Sequence, residues 1–396
     1  MRIVLYGGSF NPPHRGHVAA AQSVYEALHP DRFLIMPTNI PPHKVMEENS
    51  PSPQTRLEFT RLAFGDIPGA EISDMEILRE GKSYTADTVA VLREKYPKAE
   101  LCIVMGTDMF LSFRTWYRWE YLASECNLAV LSRDEDDGPE IAALRERLEK
   151  DCGAKVKRIP HEPLPMSSTE IREKLRRGEG SELLPEAVYR RILQTGSYGA
   201  KPELTWLRAQ VRPYLKPKRL PHVEGVEAMA VGLAERWGED SHTAAEAGIL
   251  HDITKALSPE KQLKLCKKYG IILDIAERET PALLHARTGA ALSRELFGIP
   301  DEIYGAIRWH TTGRPAMSRL EKIIYLADYV EPTRDFEGVE ALRKLCFEDL
   351  DAAMELGLRM SAEEIRARGA EPFRDTLEAY AYYRNLNSHK EEESSC

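Results

Sequence analysis

The chain has 396 residues, 42% of them hydrophobic, which is more than one ordinary core accommodates and predicts two domains. Its net charge of -9 argues against a broad nucleic-acid-binding surface and favours small phosphorylated ligands. No segment approaches the roughly 18 consecutive apolar residues of a membrane span. No cleavage-site pattern follows the N-terminal residues and the six cysteines form no CxxC pair, so a cytoplasmic protein with reduced thiols and without nucleic-acid or membrane partners is expected.

In chain order, Ile3–Tyr6, Phe33–Met36, Leu101–Met105 and Leu128–Leu131 are short apolar runs that read as buried strands. Between them Val18, Ala21, Val24, Tyr25 and Leu28 recur at helical spacing, as do Thr88, Val91 and Leu92. Strands alternating with helices predict an α/β doubly wound, Rossmann-like parallel sheet over residues 1–200. The character changes after Tyr198-Gly199-Ala200-Lys201-Pro202. From there amphipathic segments such as Val226–Trp237, Ala244–Leu250, Pro259–Tyr269 and Leu320–Val330 are punctuated by Gly and Pro, predicting an all-α domain over residues 201–386. The polar tail, residues 387–396, is expected to be disordered.

The stretch Gly7-Gly8-Ser9-Phe10-Asn11-Pro12-Pro13-His14-Arg15-Gly16-His17 joins the first strand to the first helix, where open α/β sheets bind ligands. Gly7 and Gly8 let the backbone approach a ligand, and a helix beginning near Gly16 offers free N–H groups to phosphate. His14 and His17, three residues apart, can face the same anion. A second stretch, Met166-Ser167-Ser168-Thr169-Glu170-Ile171-Arg172, offers cap hydroxyls with an arginine one turn later, which suits phosphate but equally suits a plain helix cap.

Together these stretches resemble the first motif and the C-terminal SSTxIR motif of the bacterial nicotinate-mononucleotide adenylyltransferases, within the HxGH nucleotidyltransferases. Ser83–Thr88 resembles the family's mononucleotide-binding segment, Met105-Gly106-Thr107-Asp108 its nucleoside-binding turn, and Trp116 the aromatic that stacks on the nicotinate ring. Trp119 fits a core position better. The resemblance implies nucleotide binding by Gly7, Gly8, Ser9, Phe10, Asn11, Gly16, Gly106, Asp108, Ser167, Ser168 and Thr169, and mononucleotide binding by Thr85 and Trp116. It implies catalysis by His14, His17, Lys44 and Arg172 with Mg²⁺, on ATP and nicotinate mononucleotide. Lys44 also reads as a solvated lysine.

In the helical half, His251-Asp252 ends an apolar run, where burial is costly unless something compensates the pair. With His222 upstream and Asp328 downstream the pattern resembles the HD-superfamily metal-dependent phosphohydrolases. The metal ligands so implied are His222, His251, Asp252 and Asp328, with His285 and His310 as the additional pair of two-metal members. The text around His222, His251, His310 and Asp328 resembles the bacterial symmetrical diadenosine tetraphosphate hydrolases over about Leu204–Tyr383. That resemblance implies one or two transition-metal ions, Fe foremost with Mn, Co or Zn also admissible, and Asp252 as a catalytic bridge. Lys255 and Arg334 would meet the polyphosphate or remain surface cations. A helical half that senses nucleotide without turnover, or hydrolyses another nucleotide phosphate, stays open, as does a homo-oligomer.

Overall fold

The computed structural model describes residues 1–42, 46–47, 49–132, 138–162, 164, 167–273, 280 and 283–394. The chain forms two compact units, Met1–Lys201 and Pro202–Cys396.

The first unit is a six-stranded parallel sheet in the order β3-β2-β1-β4-β5-β6. Its strands are β1 Arg2–Gly8, β2 Arg32–Pro37, β3 Ala70–Ile72, β4 Glu100–Gly106, β5 Cys126–Ser132 and β6 Lys155–Pro160. The four apolar runs expected as strands are the four inner ones. Two strands lack such a run, Ala70–Ile72 and Lys155–Pro160, and both are edges, where one side of the ladder is unpaired and side chains need not be apolar. The strand order reverses between β1 and β4, so the carboxyl ends of those two strands, at Gly8 and Gly106, flank the crevice where such sheets take ligands.

The helix Arg15–Leu28 buries Ala20, Ala21, Val24 and Leu28. Thr85–Lys95 buries Ala86, Thr88, Val89 and Leu92, whereas Val91, expected on its inner face, is 43% exposed. Val89 takes that place because the helix turns by about 100° per residue.

Among the described residues the second unit contains helices and no strand. Leu220–Trp237, Ser241–Leu250, Leu284–Phe297, Asp301–Trp309 and Arg319–Val330 pack around Val226, Leu233, Ile249, Leu250, Ile307 and Ile323. Gly248 permits a close backbone approach among them: a Cβ there would lie 2.9 Å from the Glu227 Cα. The last helix runs Arg374–Ser394.

Candidate active sites in the two units

After β1 the chain passes through Phe10, whose φ of 43° turns it sharply before the helix at Arg15. Phe10 is expected on the nucleotide, yet it is 1% exposed, with its ring edge-on to Tyr6, Phe64 and His17. A Cβ on Gly8 would meet that ring at 3.0 Å, so Gly8 makes room for Phe10 as well as for any ligand; a Cβ on Gly7 would meet nothing within 4 Å. Asn11 is also consumed internally: its Oδ1 accepts from the Tyr198 hydroxyl at 2.8 Å and its Nδ2 donates to Ser50 at 3.0 Å. Beneath the turn, buried Arg56 donates to the carbonyls of Ser9 and Asn39, 2.8 Å each.

His14 and His17 lie with ring centroids 3.7 Å apart. The His14 backbone N–H donates to His17 Nδ1 at 3.2 Å, so a neutral His17 carries its proton on Nε2 and presents a donor. Burial pushes the His14 imidazole down to about 4, which keeps it neutral near pH 7.

The Ser167–Arg172 stretch meets this turn. Ser167 caps the helix Ser168–Arg176 in a reciprocal pair with Glu170. Ser168 Oγ donates to the Pro12 carbonyl at 3.4 Å, and Thr169 Oγ1 accepts from Arg172 Nη2 at 3.1 Å. Arg172 is 2% exposed, donates to the Asn11 carbonyl at 2.8 Å and pairs with Glu47, which also binds Arg176 at 3.0 Å. The guanidinium expected to meet phosphate thus holds a carboxylate here. Lys44 and Met166 lie outside the described residues.

A cavity of about 490 Å³ opens at the sheet crevice, lined by Tyr6–Ser9, Ser83–Thr85, Ile103–Gly106, Trp116 and Tyr117. Thr85 and Trp116 therefore share one chamber with Gly7, Gly8, Ser9 and Gly106. Trp119 packs against the sheet core and does not line the chamber, as expected of it; Trp116 packs against that same core while lining the chamber. Asp108 follows Gly106 in the short helix Thr107–Leu111 and is exposed. A buried carboxyl, Glu76, stands in the chamber wall, raised by burial against the bond it accepts from Thr88 at 2.9 Å.

In the second unit all six expected ligands converge as two groups, His222 with His251 and Asp328, and Asp252 with His285 and His310. His251 and His310 each follow the last residue of a helix and donate Nδ1–H to the carbonyl three residues back, Gly248 and Ile307, 2.7 Å each. Those carbonyls lack intrahelical partners, so the helix ends themselves orient the rings. His222 Nδ1 bonds Glu331 at 3.0 Å.

With Nδ1–H donated, each of these three Nε2 atoms carries a lone pair. His222 Nε2 nevertheless faces His251 Nε2 at 3.3 Å, and His285 Nε2 faces His310 Nε2 at 3.1 Å. Asp252 spans the groups: Oδ1 lies 3.2 Å from His285 Nε2 and 3.7 Å from His310 Nε2, while Oδ2 lies 3.5 Å from His251 Nε2. Oδ1 is buried without a hydrogen-bond partner among the described residues. Converging lone pairs beside an orphaned carboxylate oxygen are unfavourable in a bare protein and fit divalent cations.

Burial alone would raise the Asp252 carboxyl, but His251, His285 and His310 hold it well below the ordinary carboxylate range. Burial pushes His251 down to about 4 despite Asp252 and Asp328 nearby. The Asp252 carboxylate and the His251 imidazole are therefore in their metal-ready protonation states near pH 7. Cations ring the cluster. Arg219 binds Asp252 Oδ2 through Nε at 2.7 Å, Arg334 binds Asp328 Oδ1 at 2.8 Å, and Lys255 Nζ lies 3.1 Å from His285 Nε2.

The first unit is of the nucleotidyltransferase class: the cytidylyltransferase-like family model matches residues 5–174, and the HD-domain model matches residues 219–333. The chain is 35% identical to a probable nicotinate-nucleotide adenylyltransferase of Chromohalobacter salexigens, over 50% of this chain and 95% of that one. It is 36% identical to another of that description from Geobacter sulfurreducens, over 50% and 98%. Through its first half, the chain belongs to the nicotinate-nucleotide adenylyltransferase family. A solved structure described as a predicted HD superfamily hydrolase involved in NAD metabolism, from Clostridium acetobutylicum, is 37% identical over 46% of this chain and 97% of that one, with a TM-score of 0.45.

Sequence reasoning passed over Arg56, Tyr198, Glu47, Arg219 and Glu331. Tyr198 stood in the quoted domain junction and Glu331 three residues after Asp328, but only the fold shows their partners at Asn11 and His222.

Proposed function

We propose that the chain carries two enzymes, one in each unit. The first joins ATP to nicotinate mononucleotide: a 5′-phosphate oxygen forms a bond to the α-phosphorus while the bond to the β-phosphate oxygen breaks, giving nicotinate adenine dinucleotide and pyrophosphate. The nucleophile is already anionic, so alignment and charge neutralisation suffice. His14 and His17 donate to the phosphates, Lys44 and Arg172 neutralise charge with the Mg²⁺ that accompanies ATP, and Arg172 reaches phosphate by exchanging Glu47 for it. Gly7, Gly8, Ser9, Gly16, Gly106, Asp108, Ser167, Ser168 and Thr169 surround the nucleotide, and Thr85 and Trp116 take the pyridine ring. The observation that carries this reading is the 490 Å³ chamber at the sheet crevice, lined by Gly7, Gly8, Ser9, Thr85, Gly106 and Trp116, in a chain of this family. Incubating the purified chain with both substrates and separating the products tests it: dinucleotide made by H17A at the wild-type rate removes His17 from the reaction.

The second unit is a metal-dependent hydrolase that splits diadenosine tetraphosphate into two ADP. His222, His251 and Asp328 would hold one ion and Asp252, His285 and His310 a second, as the convergence of their lone pairs supports. Ions held this way supply a water activated near neutral pH and polarise a phosphoryl oxygen. The chain's own groups do the rest. Asp252 offers one oxygen to each group, and Arg219, Lys255 and Arg334 bring positive charge to the polyphosphate. Product analysis with Fe, Mn, Co and Zn salts decides the substrate. Two ADP support it, ATP plus AMP contradict the symmetrical cut, and turnover of other nucleotide phosphates alone moves the substrate elsewhere.

A further inference from the structure

His222 differs from the other oriented histidines of the cluster. His251 and His310 donate to helix-end carbonyls, whereas His222, in the first turn of Leu220–Trp237, bonds a carboxylate from a residue 109 positions later. That residue, Glu331, follows the helix Arg319–Val330 and is 0% exposed. Its carboxylate is built in: the Thr333 hydroxyl donates to Oε1 and the Thr333 N–H to Oε2, 2.6 Å each. Gly225, one turn after His222, leaves it room, since a Cβ there would lie 2.6 Å from Glu331 Oε2. Burying a carboxylate at this point is costly unless its bonds serve something; Arg334 Nε lies 3.6 Å from Oε1, and among the described residues His222 is the ring it bonds.

A neutral imidazole exists as two tautomers, and only the one protonated at Nδ1 leaves a lone pair on Nε2, the atom 3.1 Å from Asp328 Oδ1 and 3.3 Å from His251 Nε2. An anionic acceptor on Nδ1–H fixes that tautomer and makes Nε2 more basic. We propose that Glu331 is the positioning residue of the metal centre: it sets the His222 tautomer, so that the group of His222, His251 and Asp328 takes a divalent ion at full affinity only with Glu331 in place. The inference rests on the metal-centre reading above, and two measurements separate the two.

The first is the ring-nitrogen NMR spectrum of the metal-free full chain, which reports tautomers without any ion. Wild type should show His222 protonated at Nδ1. Glu331→Ala should lose that preference, and Glu331→Gln, whose amide oxygen still accepts, should keep it. The second is titration with Mn²⁺ alone, where E331A should bind about 10–100-fold more weakly. E331Q should fall between E331A and wild type. Gly225→Ala should weaken binding in the same direction, because it displaces Oε2 while leaving Glu331 itself in the sequence. An unchanged His222 tautomer in E331A, or Mn²⁺ affinity within twofold of wild type in both E331A and G225A, overturns the proposal. If E331A fails to fold by circular dichroism, Mn²⁺ affinity within twofold of wild type in both E331Q and G225A overturns the proposal. A wild type that binds no Mn²⁺ removes the metal-centre reading, and the tautomer measurement still decides Glu331.

Discussion

The two units use the same side chain in opposite protonation patterns. In the first, His17 Nδ1 accepts a backbone N–H, which puts the proton of the neutral ring on Nε2, a donor suited to phosphate oxygen. In the second, His222, His251 and His310 give up Nδ1–H, which puts a lone pair on Nε2 and suits a cation. The inner nitrogen therefore tells which chemistry a histidine serves: a helix start supplies the N–H to one site, and helix-end carbonyls, with the Glu331 carboxylate at His222, supply the acceptors to the other.

Each unit can be disabled separately. Asp252→Ala should reduce hydrolysis by about 10³-fold or more, since it removes a ligand shared by both groups. Dinucleotide synthesis should stay within about twofold of wild type, because the first unit makes no use of that carboxylate. His17→Ala should show the converse, a loss of about 10²–10³-fold in synthesis with hydrolysis kept. Paired assays on the full chain measure both; loss of both activities in either variant would contradict independent sites.

Acid offers a second test. His14 and His251 are each pushed down to about 4 by burial, below the ordinary 6.5. The unfolded chain thus binds protons that the folded chain refuses between those values, so stability is full above about pH 6.5 and falls as pH drops toward 4. Each histidine accounts for on the order of 3 kcal/mol over that range. Urea titrations at pH 7 and 4.5, followed by hydrogen exchange in peptides from each unit, should show both losing protection. Added Mn²⁺ should restore the second unit alone, because the ion competes with the proton only where Nε2 lone pairs converge.

Two glycines distinguish the units by a smaller effect on stability. Gly248→Ala drives a methyl to within 2.9 Å of the Glu227 Cα, whereas Gly8→Ala meets the Phe10 ring at 3.0 Å. Backbone cannot yield as a ring can, so G248A should sit at the upper end of the roughly 1–3 kcal/mol typical of overpacking, and G8A lower. Thermal melts rank them. G248A should also weaken Mn²⁺ binding, since it separates the helices that carry His222 and His251.

How much of this was legible in the sequence follows from where each signal is stored. Inner strands show as apolar runs because both faces are covered, whereas Ala70–Ile72 and Lys155–Pro160 do not, being edges. Of the six metal-type residues, His251 and Asp252 stand out as a costly pair at the end of an apolar run, and the other four are legible through the resemblance to the HD superfamily. The donor roles of Ser167 and Arg172 were half readable: the cap is written locally in Ser167 and Glu170, but the partner of Arg172 is Glu47, 125 positions away. Glu331 and Arg56 were silent for the same reason. A charged residue gives no sign in the sequence that it is buried, and its purpose lies in a contact made only after folding.

Arginine closes the comparison. In both units a guanidinium suited to phosphate grips a carboxylate: Arg172 holds Glu47, and Arg219 holds Asp252. The carboxylates differ in standing. Asp252 is 1% exposed and faces three histidines within 3.7 Å, so Arg219 has a permanent partner to balance. Glu47 is 41% exposed and binds only Arg172 and Arg176 among its charged neighbours in the described residues, so it acts as a replaceable anion. Removing its charge by Glu47→Gln should then free Arg172 for ATP and lower the KM for ATP about threefold with kcat unchanged, the pattern of a ground-state competitor relieved. A KM that rises instead would show that Glu47 aims Arg172 at the nucleotide, and the two units would then use their carboxylate-held arginines alike.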